Sequence, residues 1–255
     1  MESNISVVIP VYNGANTILR ALKSVRQQTL APAEVIVVDD GSLDETATVV
    51  SRFLVDSRLA GWRLIRQTNK GPASARDVGI KSANGRHIAL LDADDEWTPE
   101  KLERSMASMR ALELDIIGAR LPCDRSARGD GCSLIEKRST LFRNPYFTST
   151  VVFVRDAYFQ VGGFDVSQRY SEDYKLWLAF LWCGKRAGLL QDPCATYRPA
   201  LDAAPGLSSR LWQMEKGEIG NYLWLYSLRS INLASLGAAF AFSCVKFLFR
   251  LARRR

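Results

Sequence analysis

Histidine is almost absent from this chain, and its cysteines never come in pairs. There is one histidine, His87, in 255 residues, and the five cysteines are widely spaced, with no CxxC between them. That excludes a zinc site of the usual ligand spacing, and an odd set of scattered thiols excludes a disulfide framework; reduced thiols in a cytosolic domain are expected. Two phosphate-binding devices are also missing: there is no GxxxxGK[ST] loop and no GxGxxG. No internal repeat is visible, and no string of long apolar runs suggests a multi-span transporter. The first residues, MESNISVVIP, lack a basic region followed by an apolar core, so a signal peptide is not expected. The net charge is +7, yet the body of the chain has no massed cationic patch; the densest cluster is RLARRR at 250–255, behind an apolar run. That arrangement favours an anionic membrane surface over nucleic acid.

What remains is a globular composition, 47% hydrophobic, with room for one large core and a small appendage. Short runs rich in β-branched residues alternate with segments of helical spacing. The runs ISVVIPV (5–11), EVIVVDD (34–40), WRLIRQ (62–67), RHIALLD (86–92) and LDIIGARL (114–121) predict strands. Between them lie helices: one with Ile18, Leu22 and Val25 on its inner face, one capped by Asp44 or Ser42, one ended by Gly85, and one over 98–113 with Thr98 placed to cap it and Pro99 in its first turn. Further on, FTSTVVFV (147–154) predicts a strand, RDAYFQVGGF a short helix, and residues 122–139 an exposed loop. Such alternation means a mostly parallel sheet with right-handed crossovers, and ligands of such sheets bind beyond the carboxyl ends of the strands.

That is where the acids gather: Asp39 and Asp40 after the second strand, and Asp92, Asp94 and Asp95 in LLDADDEW after the fourth. Like charges so close are costly without a cation among them. With no nitrogen or sulfur ligands nearby, the chemistry points to a hard divalent cation, one that takes only one or two protein carboxylates and fills its shell with water and substrate phosphate.

The motifs IPVYNG (9–14), VVDDGSLDET (37–46), NKGPASARDVGI (69–80), LLDADDEW (90–97), GGFD (162–165) and SEDYKLWL (171–178) stand in that order. Together they resemble the family 2 glycosyltransferases of the GT-A nucleotide-diphosphosugar-binding fold, over residues 5 to about 182. The resemblance implies that Pro10, Val11 and Tyr12, with Asp40, hold the base and ribose of a sugar nucleotide, and that Arg76 lines the nucleotide pocket. Asp92, Ala93 and Asp94 would form the DxD element, with Asp92 towards the ribose and Asp94 on a magnesium or manganese ion. Asp173 would be the catalytic base, at the start of a helix where acids also favour the positive end of the dipole. Displacing a nucleoside diphosphate builds charge on the leaving oxygen, and the attacking hydroxyl must lose its proton; one carboxylate in line implies inversion.

Two features depart from the family pattern, and the lone histidine stands apart from the motifs. Asp77 stands where members often carry Asn, so it either turns into its own helix or alters donor preference. The QxxRW motif of processive synthases is missing, since Arg210-Leu211-Trp212 lacks the glutamine. His87 begins a strand, at the end of the sheet away from the chemistry. Phe142, Tyr146 and Phe147 are candidates to stack on an acceptor sugar, with core packing expected for at least two of them.

The expected architecture is therefore a GT-A domain over residues 1–205 and a helical, membrane-associating appendage over 206–255. The expected function is non-processive, metal-dependent, inverting sugar transfer, a UDP-sugar being the expected donor, to a glycan or lipid-linked acceptor of bacterial exopolysaccharide or lipopolysaccharide synthesis. A sugar-nucleotide nucleotidyltransferase and a non-catalytic membrane-bound scaffold are the alternatives. Residues 230–245 carry no charge, but a span needs about 20 residues. A crossing would also separate the arginine tail from a cytosolic active site. The tail is thus expected to lie in the inner-leaflet interface on the cytoplasmic face, peripheral or monotopic, with Trp224 and Tyr226 near the headgroups, the alternative being a helix packed on the GT-A core.

Overall fold

The computed structural model describes residues 4–58, 60–120, 131–197 and 210–252. β1 (Ile5–Val11) and β2 (Glu34–Asp39) are buried along their whole length, which is why they read as unbroken apolar runs and not as alternations. Between and after them come α1 (Ile18–Arg26), α2 (Thr46–Ser57), β3 (Trp62–Arg66), α3 (Pro72–Ser82) and β4 (His87–Leu90). The chain continues through β5 (Asp95–Trp97), α4 (Lys101–Ala111), β6 (Ile116–Ala119), β7 (Cys132–Leu134) and β8 (Val152–Val154). It then forms α5 (Arg155–Gln160), α6 (Glu172–Trp182), β9 (Ala187–Leu190), β10 (Ala195–Tyr197), α7 (Leu211–Ser227) and α8 (Leu233–Ala252).

Among the described residues the main sheet runs β3-β2-β1-β4-β8-β6-β9-β7. Its first four strands are mutually parallel, as are β6 and β9, whereas β8 is antiparallel to both of its neighbours. Val11 lies opposite Asp39, and Val8 opposite Leu90, so the loops after β1, β2 and β4 open on one edge. One face of the sheet is covered by α1, α2 and α4 through Leu22, Val25, Phe53, Leu102 and Met106. The other is covered by α3, α5 and α6 through Ile80, Tyr158, Trp177 and Phe180. A smaller cluster joins Tyr174 and Leu178 of α6 to Tyr222 and Leu225 of α7 and Ala239 of α8.

Several local expectations need correction. FTSTVVFV is not one strand: Thr148–Thr150 forms a 3-10 turn and only Val152–Val154 pairs. The turn wins because Thr150 gives its amide and its hydroxyl to the carbonyl of Phe147, a local bond that competes with a sheet ladder. α3 stops at Ser82 with extended backbone at Ala83, so Gly85 is not its cap. A β-carbon at Gly85 would lie 2.4 Å from the Ser6 hydroxyl oxygen, and close approach to β1 is what requires the glycine. Neither expected residue caps α2, whose N-cap is Glu45 without a side-chain bond; Asp44 Oδ1 accepts the Thr46 amide at 3.0 Å just before it, and Ser42 accepts the Asn13 amide. Thr98 offers α4 its carbonyl, to the Lys101 amide, not its hydroxyl. Part of the expected loop at 122–139 is the edge strand β7; residues 121–130 and the expected boundary near 205 lie outside the described residues.

Candidate active site

The loop after β1 is held open by its neighbours. Asn13 has left-handed backbone, and the amides of Asn13, Gly14 and Ala15 donate to Ser42, Thr46 and Asp44 across the loop after β2. Asn13 returns the bond, its Oδ1 accepting the Leu43 amide at 2.8 Å. This stitching leaves Tyr12 48% exposed at the mouth, its ring free to lie against a planar ligand. Pro10 and Val11 stay in the buried strand beneath it. Asp40 is itself buried; its Oδ1 accepts Gln67 and the Lys70 amide, and its Oδ2 the Gly71 amide at 2.8 Å. A carboxylate oxygen accepts two bonds, so Oδ2 keeps a lone pair for a ligand donor. Asp39, by contrast, is spent on the Ser42 amide and Arg66.

The acids after β4 divide into three roles. Asp92 meets Arg76 at 2.7 Å, and its amide donates to Ser149 Oγ at 3.1 Å. Ala93 follows, half-buried against the core cluster of the sheet. Asp94 is half-buried; burial, and then the charge of Asp92, push its carboxyl up. Asp95 turns inward to hydrogen-bond the Ser149 hydroxyl, and its Oδ1 has no partner among the described residues. Burial first, with Asp92 next, raises it to about 8. Two carboxyls pushed up by burial and by the charge of Asp92 gain from a positive charge nearby. Among the described residues no three His, Cys, Asp or Glu side chains converge to chelate a metal. An all-oxygen set of one or two carboxylates suits magnesium or manganese, which leave most of their shell to water and phosphate.

Across the crevice stands the head of α6. Ser171 adopts left-handed backbone just before it, and α7 presses on this turn so closely that a β-carbon at Gly217 would lie 2.3 Å from the Tyr170 carbonyl. Asn221 of α7 donates to the Ser171 carbonyl and accepts from Gln168. The turn thus launches Glu172 and Asp173 in fixed directions. Glu172 is buried against Arg76 at 3.0 Å; burial and then Asp173 push it up, against the pull of Arg76. Asp173 is partly exposed, and its Oδ2 accepts Thr148 Oγ1 at 3.1 Å and Asn144 Nδ2 at 3.4 Å.

Arg76, expected to line a nucleotide pocket, is buried and already engaged by Asp92 and Glu172. Asp77 turns into its own helix and against α5, accepting from Lys81 at 2.7 Å and from the Tyr158 hydroxyl at 2.8 Å. His87 begins β4 at the opposite edge of the sheet. Tyr146 is core, edge-on to Trp177, and Phe142 meets Phe242 of α8. Sequence reasoning missed Glu172 as the partner of Arg76, and Thr148, Ser149 and Asn144 altogether; in the sequence the hydroxyl-bearing run looks like a strand.

Residues 6–171 match the family model "Glycosyl transferase family 2". The succinoglycan biosynthesis protein ExoO of Rhizobium meliloti is 34% identical over 217 residues, 76% of this chain and 60% of that protein. The Escherichia coli UDP-Glc:alpha-D-GlcNAc-diphosphoundecaprenol beta-1,3-glucosyltransferase WfgD is 42% identical over 105 residues, 41% of this chain and 40% of that one. The chain therefore spans less than two thirds of either relative. Among solved structures, a mannosyltransferase from Pyrobaculum calidifontis in complex with GDP-Man and Mn2+ superposes with a TM-score of 0.72 at 18% identity, covering 99% of this chain and 76% of that one. That likeness establishes the fold as GT-A, and with the family match over most of its length the chain belongs to the family 2 glycosyltransferases.

Proposed function

We propose that this protein transfers one sugar, with inversion, from a nucleotide-diphosphate donor, a UDP-sugar, to a glycan or lipid-linked acceptor in bacterial exopolysaccharide or lipopolysaccharide synthesis. The observation that carries this reading is Arg76, which holds Asp92 with one guanidinium nitrogen and Glu172 with the other. The acidic loop after β4 and the head of α6 therefore face one space. In that space Tyr12, with the backbone of Pro10 and Val11, would bind the base, Asp40 and Asp92 its ribose, and Asp94 a magnesium or manganese ion. When bound, the cation would supply Lewis-acid stabilisation to the leaving diphosphate. Asp173 would take the proton of the attacking hydroxyl as it bonds to the anomeric carbon. The WfgD relative, named for UDP-Glc, supports the nucleotide class. With manganese present, a panel of UDP-, GDP- and dTDP-sugars should yield free nucleoside diphosphate without pyrophosphate. Pyrophosphate from a nucleoside triphosphate and a sugar phosphate would make the protein a nucleotidyltransferase; neither product, with no donor-dependent thermal shift, would leave the scaffold reading.

The partner surface we infer is the cytoplasmic leaflet of the inner membrane. Within the 20-residue α8 an 18-residue window has a mean hydropathy of 1.4, yet only 11% of that window is buried. Two of its polar groups face α7, where Ser243 donates to Glu215 and Lys246 pairs with Glu218. Its exposed side chains include Leu233, Phe240, Val245, Leu248 and Phe249. A helix with these polar groups turned to the protein and its apolar ones outward suits an interface, and Arg250 with the three terminal arginines suits anionic lipid. Trp224 does not join that surface: it is half-buried against the small cluster of α6, α7 and α8 and carries the Lys175 ammonium over its ring. Tyr226 remains exposed. The full chain should sediment with phosphatidylglycerol vesicles at low salt, and a Leu248→Glu, Phe249→Glu double variant should stay in the supernatant while still binding donor. Wild type that ignores such vesicles would sink this surface.

A further inference from the structure

We propose that Thr148 is a positioning residue for the base: its hydroxyl fixes the rotation of the Asp173 carboxylate and registers it to the donor-side loop. The inference rests on Asp173 being the base, and goes beyond it in naming what aims that group.

Thr148 is buried, with 5% of its surface exposed, and its Oγ1 donates to Asp173 Oδ2 at 3.1 Å. Among the described residues both side-chain bonds to Asp173 end on Oδ2, the one from Asn144 being longer at 3.4 Å. A carboxylate held by one oxygen cannot swivel freely, so Oδ1 is the oxygen left to accept a proton. What makes Thr148 more than a neighbour is the rigidity of the turn that carries it. Ser149, fully buried, accepts the Asp92 amide on Oγ at 3.1 Å, hands its own proton to Asp95 and receives Trp97 Nε1 on its carbonyl. Thr150, also fully buried, accepts the Ala119 amide at 3.0 Å and donates to Phe147. Three consecutive hydroxyls thus have defined partners, on α6, on the acidic loop and on β6. Adjacent residues of one short turn touch the base and the amide of Asp92, so the spacing between proton acceptor and donor loop is set by Thr148-Ser149 as well as by α6 itself. A misdirected base costs rate without costing donor affinity.

The test uses the full chain with manganese and whichever of UDP-glucose, UDP-N-acetylglucosamine, UDP-galactose and GDP-mannose wild type turns over fastest. Transfer to water, which draws on the same base, is read as nucleoside diphosphate released. Thr148→Val, which keeps shape and removes the hydroxyl, should lower kcat roughly ten- to a hundredfold, the worth of a hydrogen bond to a charged group, with donor KM unchanged. Thr148→Ser, which keeps the hydroxyl, should restore most of that loss. In an Asp173→Ala background Thr148→Val should cost nothing further, because a residue that acts through another has no effect once that other is gone. Wild-type kcat in Thr148→Val, equal loss in Thr148→Val and Thr148→Ser, or a full additional loss on top of Asp173→Ala would each overturn the proposal. If Asp173→Ala alone leaves kcat intact, or no donor turns over, the reading of the base fails and this inference with it. A loss confined to Asp173→Ala refutes the role of Thr148 only.

Discussion

Asp94→Ala is expected to abolish manganese-dependent donor binding and to lower turnover by on the order of a thousandfold or more, the several kcal/mol that a Lewis acid supplies to a leaving oxygen. Asp94→Asn should be almost as damaging. The amide is the same shape as the carboxylate, so steric fit is kept and only the charge is lost. The expectation follows from the division of labour after β4. Asp92 already faces a permanent cation, Arg76, at 2.7 Å, and Asp95 is turned inward to Ser149. Asp94 is the acid left half-exposed with its carboxyl pushed up by burial and by Asp92, a state that a bound cation relieves. The fold should not suffer, since Asp94 bridges no elements; removing one of two repelling carboxylates should leave the melting temperature level or slightly higher. The decisive comparison is donor-induced thermal shift with manganese against the same with chelator. Wild type should show the shift only with metal, and Asp94→Asn in neither. An Asp94→Asn protein that turned over donor at near-normal rates in chelator would refute the metal role.

The strands were legible because burial on both faces leaves no alternation to misread: ISVVIPV and EVIVVD are buried at every residue. The acids were legible because a parallel sheet puts its loops on one edge. Much of what escaped depended on partners far away in the chain. β5 is three residues inside the acidic loop and exists only because Ala195–Tyr197 pairs with it from about a hundred positions on. Arg76 reads as lining a nucleotide pocket, and its pairing with Glu172, 96 positions on, shows only in the fold. The Thr148–Thr150 turn has the composition of a strand, and only its local hydrogen bonds show otherwise. No local pattern tells that Gly217 is the place where α7 presses on the turn before α6. The appendage therefore bears on the placing of Asp173, the base we propose, as well as on the lipid surface we infer for it.

Asp173→Asn is expected to separate binding from chemistry. Donor affinity and the manganese-dependent thermal shift should stay as in wild type, while kcat should fall by roughly two to four orders of magnitude, the usual worth of a general base. The reason for expecting so clean a split is geometric. Asp173 sits on α6, and its contacts run to Thr148 and Asn144, not to the loops after β1 and β2 that would hold the nucleotide. The competing account is that Asp173 serves only the helix, as an acid in the first turn of α6, where such a group contributes about 0.3–1 kcal/mol. The two accounts differ in what Asn does. A helix-start role predicts a small drop in melting temperature and a parallel, modest loss of binding and rate. A base role predicts an unchanged fold with a rate loss far larger than any stability change. The neighbouring carboxyl supplies the control. Glu172→Gln removes the partner of Arg76, also in the first turn, and should disturb stability and donor binding together, because Arg76 would lose one of the two acids that hold it between loop and helix. An Asp173→Asn protein that behaved like Glu172→Gln, with binding and rate falling together, would assign Asp173 to the scaffold and leave the proton acceptor to be sought elsewhere in the crevice.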